Sequence, residues 1–392
     1  MSNMIERSSK VLMNTYTRFP LTFVEGHGVY VNDHHGNTYL DFLAGIAVNA
    51  LGHGHPALTS AISGQAAKMI HCSNLYHIPQ QTMLAEKLVS NSVFDKVFFC
   101  NSGTEANEAA IKLARRWGGL NKNGAAKIIS LEHSFHGRTM GALSLTGQKK
   151  YQENFTPLMP GVDFVPLNDI GALSNAVDDQ TCAVIVEPVQ GEGGIFPARQ
   201  SYLKEVRNLC NDSHTLLIFD EVQCGLGRTG KLFAHQYYEV EPDIVTLAKA
   251  LGGGFPIGAM LAKEPAAVFQ PGDHGSTFGG SPLASSAALA VLTELVDHDL
   301  VGHSREIGAY LHTKLNGLAD TTPMIIEVRG VNLMIGLQLD REAGPFIEKC
   351  HREGLLVGKA GPEVLRLVPP LIIEKEHVDT CVDILKKVLN QD

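Results

Sequence analysis

Lys249 follows the apolar run Ile244-Val245-Thr246-Leu247-Ala248 and precedes Gly252-Gly253-Gly254. Apolar surroundings desolvate an ammonium and lower its proton affinity, and the neutral amine is a nucleophile able to form an imine with a carbonyl. A lysine whose stem packs and whose head reaches solvent gives the same pattern. The glycines downstream, which permit close backbone approach, favour chemistry. Asp220-Glu221-Val222-Gln223 ends a second apolar run, residues 216–219. A carboxylate pinned at a strand end can keep a ring nitrogen protonated and so make the ring an electron sink. A metal-binding acidic pair and a solvated strand end are the alternatives.

Three further stretches carry candidate groups. Asn101-Ser102-Gly103-Thr104-Glu105 lies between a strand-like and a helix-like segment. Ser102 and Glu105 fit a capping box, and a glycine with small hydroxyls at a helix N-terminus suits a phosphate. An ordinary capped helix fits equally, and the stretch is neither a Walker A loop nor a GxGxxG turn. In Ser134-Phe135-His136-Gly137-Arg138 the phenylalanine can stack on a flat ring or belong to the core, and the arginine can hold a carboxylate in a bidentate pair. His133 and His136 have no third metal ligand at a sensible spacing. Gly275-Ser276-Thr277-Phe278-Gly279-Gly280 suits a phosphate or a flexible loop. Together these stretches supply a phosphate anchor, a partner for a ring nitrogen and an imine-forming amine.

Such residues need rigid elements behind them. The apolar runs at 97–100, 127–131, 183–186, 216–219 and 244–248 are continuous rather than alternating, as in strands buried on both faces of a mostly parallel sheet. Helical patterns at 104–117 and 201–212 separate them, which is the α/β signature, and in such sheets ligands bind beyond the carboxyl ends of the strands. Residues 244–262 hold one charge, but the glycines and Pro256 break them into strand, loop and strand rather than a membrane span. After Gly280 the texture changes. An alanine- and leucine-rich helix is expected over 282–296, then strands near 334–339 and 364–368, and helices near 345–353 and 374–389. The resulting division is an N-terminal segment, 1–45, packing with a small C-terminal α+β domain, 282–392, and a large domain, 46–281.

The chain has 392 residues, 44% of them hydrophobic and 19% charged, within the globular range. A formal charge of −9 without a basic run argues against nucleic acid or a membrane surface as partner. Seven cysteines, none in a CxxC pair, point to a reducing cytoplasm rather than a disulfide framework. The N-terminus lacks the apolar stretch of a secretory signal.

Residues 101–110, 133–138, 219–230 and 248–256 resemble the class III, fold-type I aminotransferases, and the likeness extends from Asn14-Thr15-Tyr16 through Arg366 to Pro370. Asp220 to Arg228 with Lys249 downstream is highly specific for the class. Asn14-Thr15-Tyr16, Leu75-Tyr76 and Ser276-Thr277 resemble the branch acting on N2-acetylornithine. The resemblance implies a large domain with a mostly parallel seven-stranded sheet, a smaller α+β domain and pyridoxal 5′-phosphate as cofactor. It gives Lys249 the imine and the proton shuttle, Asp220 the ring nitrogen, Phe135 and Val222 the two ring faces, and Gln223 the ring hydroxyl oxygen. Ser102, Gly103 and Thr104 would bind the phosphate, joined by Thr277 of a partner subunit in a homodimer. Arg138 would hold the substrate carboxylate remote from the reacting amine, with Ser276 and Tyr16 nearby. Arg366 would hold the α-carboxylate of glutamate, masked by Glu192 when the donor has none at that end. The implied substrates are a small amino donor and 2-oxoglutarate, with ornithine, succinylornithine, succinyl-diaminopimelate and 4-aminobutyrate as alternative donors. A silent scaffold on the same fold is the reading from another class, and the presence of Lys249, Asp220, Arg138 and Arg366 argues against it.

Overall fold

The structure is a computed structural model describing residues 4–390. Seven strands build its central sheet: β1 (Lys96–Cys100), β2 (Lys127–Leu131), β3 (Val162–Val165), β4 (Thr181–Val186), β5 (Leu216–Asp220), β6 (Ile244–Leu247) and β7 (Gly258–Ala262). Their spatial order is β1-β7-β6-β5-β4-β2-β3. Only β7 runs against its neighbours; the other pairings across the sheet are parallel. Every residue of β4, β5 and β6 is buried, the burial on both faces that their unbroken apolar sequence demands. The run 244–262 forms β6, a short 3-10 turn Lys249–Gly252 and β7.

Helix α1 (Gly103–Asn121) lies on this sheet. Its buried face is built from small residues, including Ala106, Ala109, Ala110 and Ala114, so the helix axis comes close to the strands. At Gly118 a Cβ would stand 2.1 Å from the Ala125 carbonyl oxygen, which excludes any larger residue. Parallel neighbours end on the same side, so Asp220, Glu187 after β4, Lys249 after β6 and the 133–138 loop after β2 converge on one edge of the sheet.

A second, antiparallel sheet contains Ile325–Val331, Met334–Leu339, Val364–Leu367 and Gly358–Lys359, in that order. The N-terminal strands Phe23–His27, Tyr30–Asp33 and Thr38–Asp41 form a third sheet, whose last strand pairs in parallel with Leu355–Leu356. The helix that starts at 282, Pro282–Leu292, packs on Pro56–Ala66 and Pro79–Ser90 of the large lobe. Ala284, Ala287 and Ala288 are buried there, so a boundary drawn at 282 from the change of texture precedes a helix that packs with the sheet's own lobe. The helix continues into a π turn, Thr293–Asp297, where one long α-helix was expected. Arg228, buried, donates from Nη1 to the carbonyls of Leu333 and Pro369 and so ties the loop after β5 to the strands around Arg366.

Glu221, also buried, accepts the backbone N–H groups of Ala234 (2.5 Å) and His235 (2.8 Å) at the start of the helix Ala234–Tyr238. Burial pushes its carboxyl up to about 8, against the pull of those two N–H groups. A folded-state value above the ordinary 4.5 means that its stabilising contribution is complete below about 4.5 and is lost as pH rises through about 8. Glu221→Gln removes that titration. Its melting temperature is expected to fall furthest below the parent's near pH 5, with the gap narrowing by about pH 8.5. Thermal unfolding of both proteins across this range checks it, and a pH-independent gap would show that Glu221 does not titrate there.

Candidate active site

Asp220, at the carboxyl end of β5, is 4% exposed. Its Oδ2 accepts from Asn107 Nδ2 (2.8 Å) and His136 Nδ1 (2.7 Å), and its Oδ1 accepts the Val222 N–H (3.0 Å). Asn107 also donates to the His136 carbonyl (2.7 Å), and its Oδ1 accepts from Thr246 Oγ1 (2.8 Å). The aspartate is therefore fixed from α1, β6 and the loop after β2. His136 Nε2 is buried without a hydrogen-bond partner. The sequence weighs His136 only as a metal ligand and passes over Asn107. The signal for Asn107 is its place one helical turn after Gly103, a polar residue within α1's small-residue face.

Lys249, half-buried, has φ of 44°, a left-handed backbone that a side chain adopts only under local constraint. Burial lowers its proton affinity, the Glu192 carboxylate opposes that, and Arg366 reinforces it. A larger share of neutral, nucleophilic amine results.

The N-terminus of α1 makes the anion-binding corner. Ser102 Oγ accepts the Glu105 N–H (3.3 Å) and donates to Glu105 Oε2 (2.9 Å), while Glu105 Oε2 accepts the Asn101 N–H (2.9 Å). This capping leaves first-turn N–H groups of the helix facing outward, with the positive end of its dipole. Thr104 Oγ1 accepts from the N–H groups of Arg138 (3.2 Å) and Thr139 (3.3 Å). Gly103 is required by contact, since a Cβ there would stand 2.7 Å from Val222 Cγ1.

These groups surround a cavity of about 420 Å³. Lys249, Asp220, Phe135, Val222, Gln223 and Arg138 all line it, as do Ser102, Gly103 and Thr104. So does Glu187, a residue to which the sequence reading gives no role although it ends β4. Glu187 is buried, accepts the N–H groups of Phe135 (2.8 Å) and Gly191 (3.1 Å), and has its carboxyl pushed up by burial. It joins the loop of the candidate ring-stacking residue to the loop of Glu192.

Arg366, 3% exposed on the strand Val364–Leu367, is ion-paired with Glu192. Gln223 sits between them, donating to Glu192 Oε1 (3.4 Å) and accepting from Arg366 Nη1 (3.4 Å). Burial would raise the Glu192 carboxyl, but Arg366 and then Lys249 hold it below the usual range. Arg366 Nε is buried and unpartnered. Arg138 is exposed, without a carboxylate partner among the described residues.

The remaining candidates stand apart from the cavity wall. Tyr16 is 70% exposed beneath Arg18, and Thr277 is exposed. Ser276 Oγ accepts from Asn101 Nδ2 (3.2 Å) and Gly279 N–H (3.1 Å), which ties the 275–280 loop to the rim.

A buried, hydrogen-bonded carboxylate, an unpartnered imidazole nitrogen, an amine of lowered basicity, an aromatic wall and a helix N-terminus suit one ligand type. It has a basic ring nitrogen, a carbonyl and a phosphate, and pyridoxal 5′-phosphate has all three. Known proteins point to the same family. The family model described as aminotransferase class-III matches residues 11–389. The acetylornithine aminotransferase of Caldanaerobacter subterraneus subsp. tengcongensis is 52% identical over 390 residues, covering 99% of each chain. That of Methanocaldococcus jannaschii is 50% identical over 395 residues, covering 99% of this chain and 98% of its own. Among solved structures, the ornithine aminotransferase of Toxoplasma gondii ME49 superposes with a TM-score of 0.95 at 33% identity, over 99% of this chain and 94% of that one. The acetylornithine aminotransferase of Elizabethkingia anophelis gives 0.89 at 34%, over 100% and 99%. A sheet edge that assembles this set of groups, and a family match running almost from end to end, place the chain in the class-III aminotransferase family.

Proposed function

We propose that this aminotransferase moves the terminal amine of N2-acetylornithine to 2-oxoglutarate, giving N-acetylglutamate 5-semialdehyde and glutamate. The observation that carries the reading is the pair of unequal carboxylate sites: Arg138 lies open at the cavity, while Arg366 is buried and covered by Glu192. Acetylornithine offers a carboxylate only at the end remote from its reacting amine, whereas glutamate and 2-oxoglutarate carry carboxylates at both ends. The relatives named as acetylornithine aminotransferases support the same choice.

Pyridoxal 5′-phosphate, when bound, supplies a conjugated ring that accepts the electron pair left as a proton leaves the substrate carbon. The chain's residues do the rest. Asp220 would keep the proton on the ring nitrogen, and the His136–Asn107–Thr246 bonds keep Asp220 in place. Lys249 Nζ would carry the proton lost from and returned to the substrate, a task suited to its lowered proton affinity. Ser102, Gly103 and Thr104 would hold the phosphate, Phe135 and Val222 would confine the ring faces, and Gln223, which bridges Glu192 and Arg366, would bind the ring hydroxyl. Arg138 receives the remote carboxylate, with Ser276 and Tyr16 close to the entrance. When a dicarboxylate enters, Glu192 yields Arg366 to its α-carboxylate.

The same reading makes the protein a cytoplasmic homodimer. Leu75 (87% exposed), Tyr76 (69%) and Phe278 (62%) are exposed apolar residues, and Asn74 bonds the carbonyls of Ser276 and Gly279, which ties the two segments together. Closure by a second copy would bring Thr277 to the partner's phosphate site. No described helix is long and apolar enough to cross a membrane.

Two variants test the assignment, with N2-acetylornithine, ornithine, succinylornithine and 4-aminobutyrate offered in parallel against 2-oxoglutarate. Acetylornithine is expected to be the preferred donor of the parent enzyme. Lys249→Ala is expected to lose at least about 10³-fold in kcat, the scale of a general acid–base together with its nucleophile; a near-parental rate would remove the lysine from the mechanism. Glu192→Ala uncovers Arg366, so single-turnover rates should shift toward the glutamate half-reaction at the expense of the acetylornithine one. An unchanged ratio would show that Glu192 does not gate the site.

A further inference from the structure

Arg138 has a long side chain and an exposed position, yet its guanidinium is not left to wander. Its Cζ stands 4.1 Å from the centroid of the Tyr151 ring and 5.5 Å from that of Phe135. The two rings meet edge to face, 5.8 Å apart at 81°. Tyr151 does not line the cavity.

The support under Tyr151 is stiff. It sits on the four-residue helical turn Lys149–Gln152, which is tied down at both ends. Gln152 Nε2 donates to the carbonyls of Leu143 (3.1 Å) and Thr146 (2.9 Å). Gln148 Nε2 donates to the carbonyls of Ser134 (3.1 Å) and His133 (3.3 Å), immediately before Phe135. The Tyr151 N–H closes the turn on the Gln148 carbonyl (3.0 Å). Stacking also differs from an ion pair in what it leaves free. A guanidinium lying on a ring face keeps the N–H fork at its edge available for a carboxylate, whereas a protein carboxylate would occupy that fork.

We propose that Tyr151 is a specificity-determining positioning residue that holds the Arg138 guanidinium ready for the substrate carboxylate remote from the reacting amine. Through its contact with Phe135 it fixes the distance between that carboxylate and the reacting centre. This rests on the reading of Arg138 given above.

The test compares the holoenzymes of the parent, Tyr151→Leu, Tyr151→Phe and Arg138→Ala. Three readouts are taken: KM and kcat for N2-acetylornithine, kcat/KM for 1,4-diaminobutane (which has no carboxylate), and the Kd of glutarate by calorimetry. Tyr151→Leu is expected to raise KM for acetylornithine and Kd for glutarate about three- to tenfold, the scale of a lost cation–π contact, with kcat within about twofold. Tyr151→Phe keeps the ring face and should match the parent, and turnover of the diamine should be unmoved by either Tyr151 variant. If Arg138→Ala raises KM and Tyr151→Leu does not, the Tyr151 inference is overturned and the carboxylate reading stands. If Arg138→Ala leaves KM unchanged, the carboxylate reading fails and takes the inference with it. An equal loss by Tyr151→Leu on acetylornithine and on the diamine would reduce Tyr151 to a packing role.

Discussion

A buried carboxylate at the end of a central parallel strand is the constraint around which this molecule is arranged. Removing Asp220 from water costs several kcal/mol unless its oxygens are satisfied. The side-chain donors come from two elements distant in sequence: Asn107 from α1 and His136 from the loop after β2. Thr246 on β6 fixes the rotamer of Asn107 in turn. The network therefore requires the sheet order β6-β5-β4-β2 and the close approach of α1, which the small residues on that helix permit. Fold and site share these contacts, so a change that moves α1 also moves Asp220.

Around that fixed charge lies a set of opposed charges. Burial alone would leave Lys249 weakly basic; Glu192, Asp220 and Glu187 restore part of its proton affinity, and Arg366 subtracts from it. Moving Glu192 away from Arg366 would thus change the amine as well as the carboxylate site. Gln223 contacts both partners of the pair and lines the cavity, so it is placed to transmit such a movement to the cofactor pocket. Glu187 performs the backbone equivalent, bonding the N–H groups of Phe135 and Gly191 on two separate loops.

What was legible in the sequence follows from how each group is used. Lys249, Asp220 and the Ser102–Thr104 corner stand directly after apolar runs, and in a parallel sheet the ends of such runs meet on one side, so strand pattern alone brings them together. Asn107, His136 and Glu187 act by supporting other residues, and support depends on tertiary neighbours that no local spacing encodes. Tyr151 is hidden for the same reason, since its partner Arg138 lies thirteen residues away across a helix and a turn. The helix Pro282–Leu292 marks a change of composition without a change of lobe, because its alanines let it nest between helices of the large lobe. Tyr16 and Thr277 carry no local signal beyond family likeness and stand in exposed positions of the single chain.

The contrast between the two arginines carries the specificity argument furthest. Arg366 is taken out of water, and a buried guanidinium without a counter-charge is strongly unfavourable; Glu192 supplies that counter-charge here, and on the proposed assignment a substrate carboxylate would replace it. Exchanging one carboxylate for another would leave the number of buried ion pairs unchanged, so on that assignment substrates with and without that carboxylate would use one cavity. Arg138 remains partly hydrated and rests on aromatic rings, so it needs no such substitute. An acidic residue placed beside it would compete with every substrate the site is read to accept, since both half-reactions bring a carboxylate to that end. On the proposed assignment, a neutral aromatic support at one carboxylate site and an acidic cover at the other would serve a monocarboxylate donor and a dicarboxylate acceptor in turn.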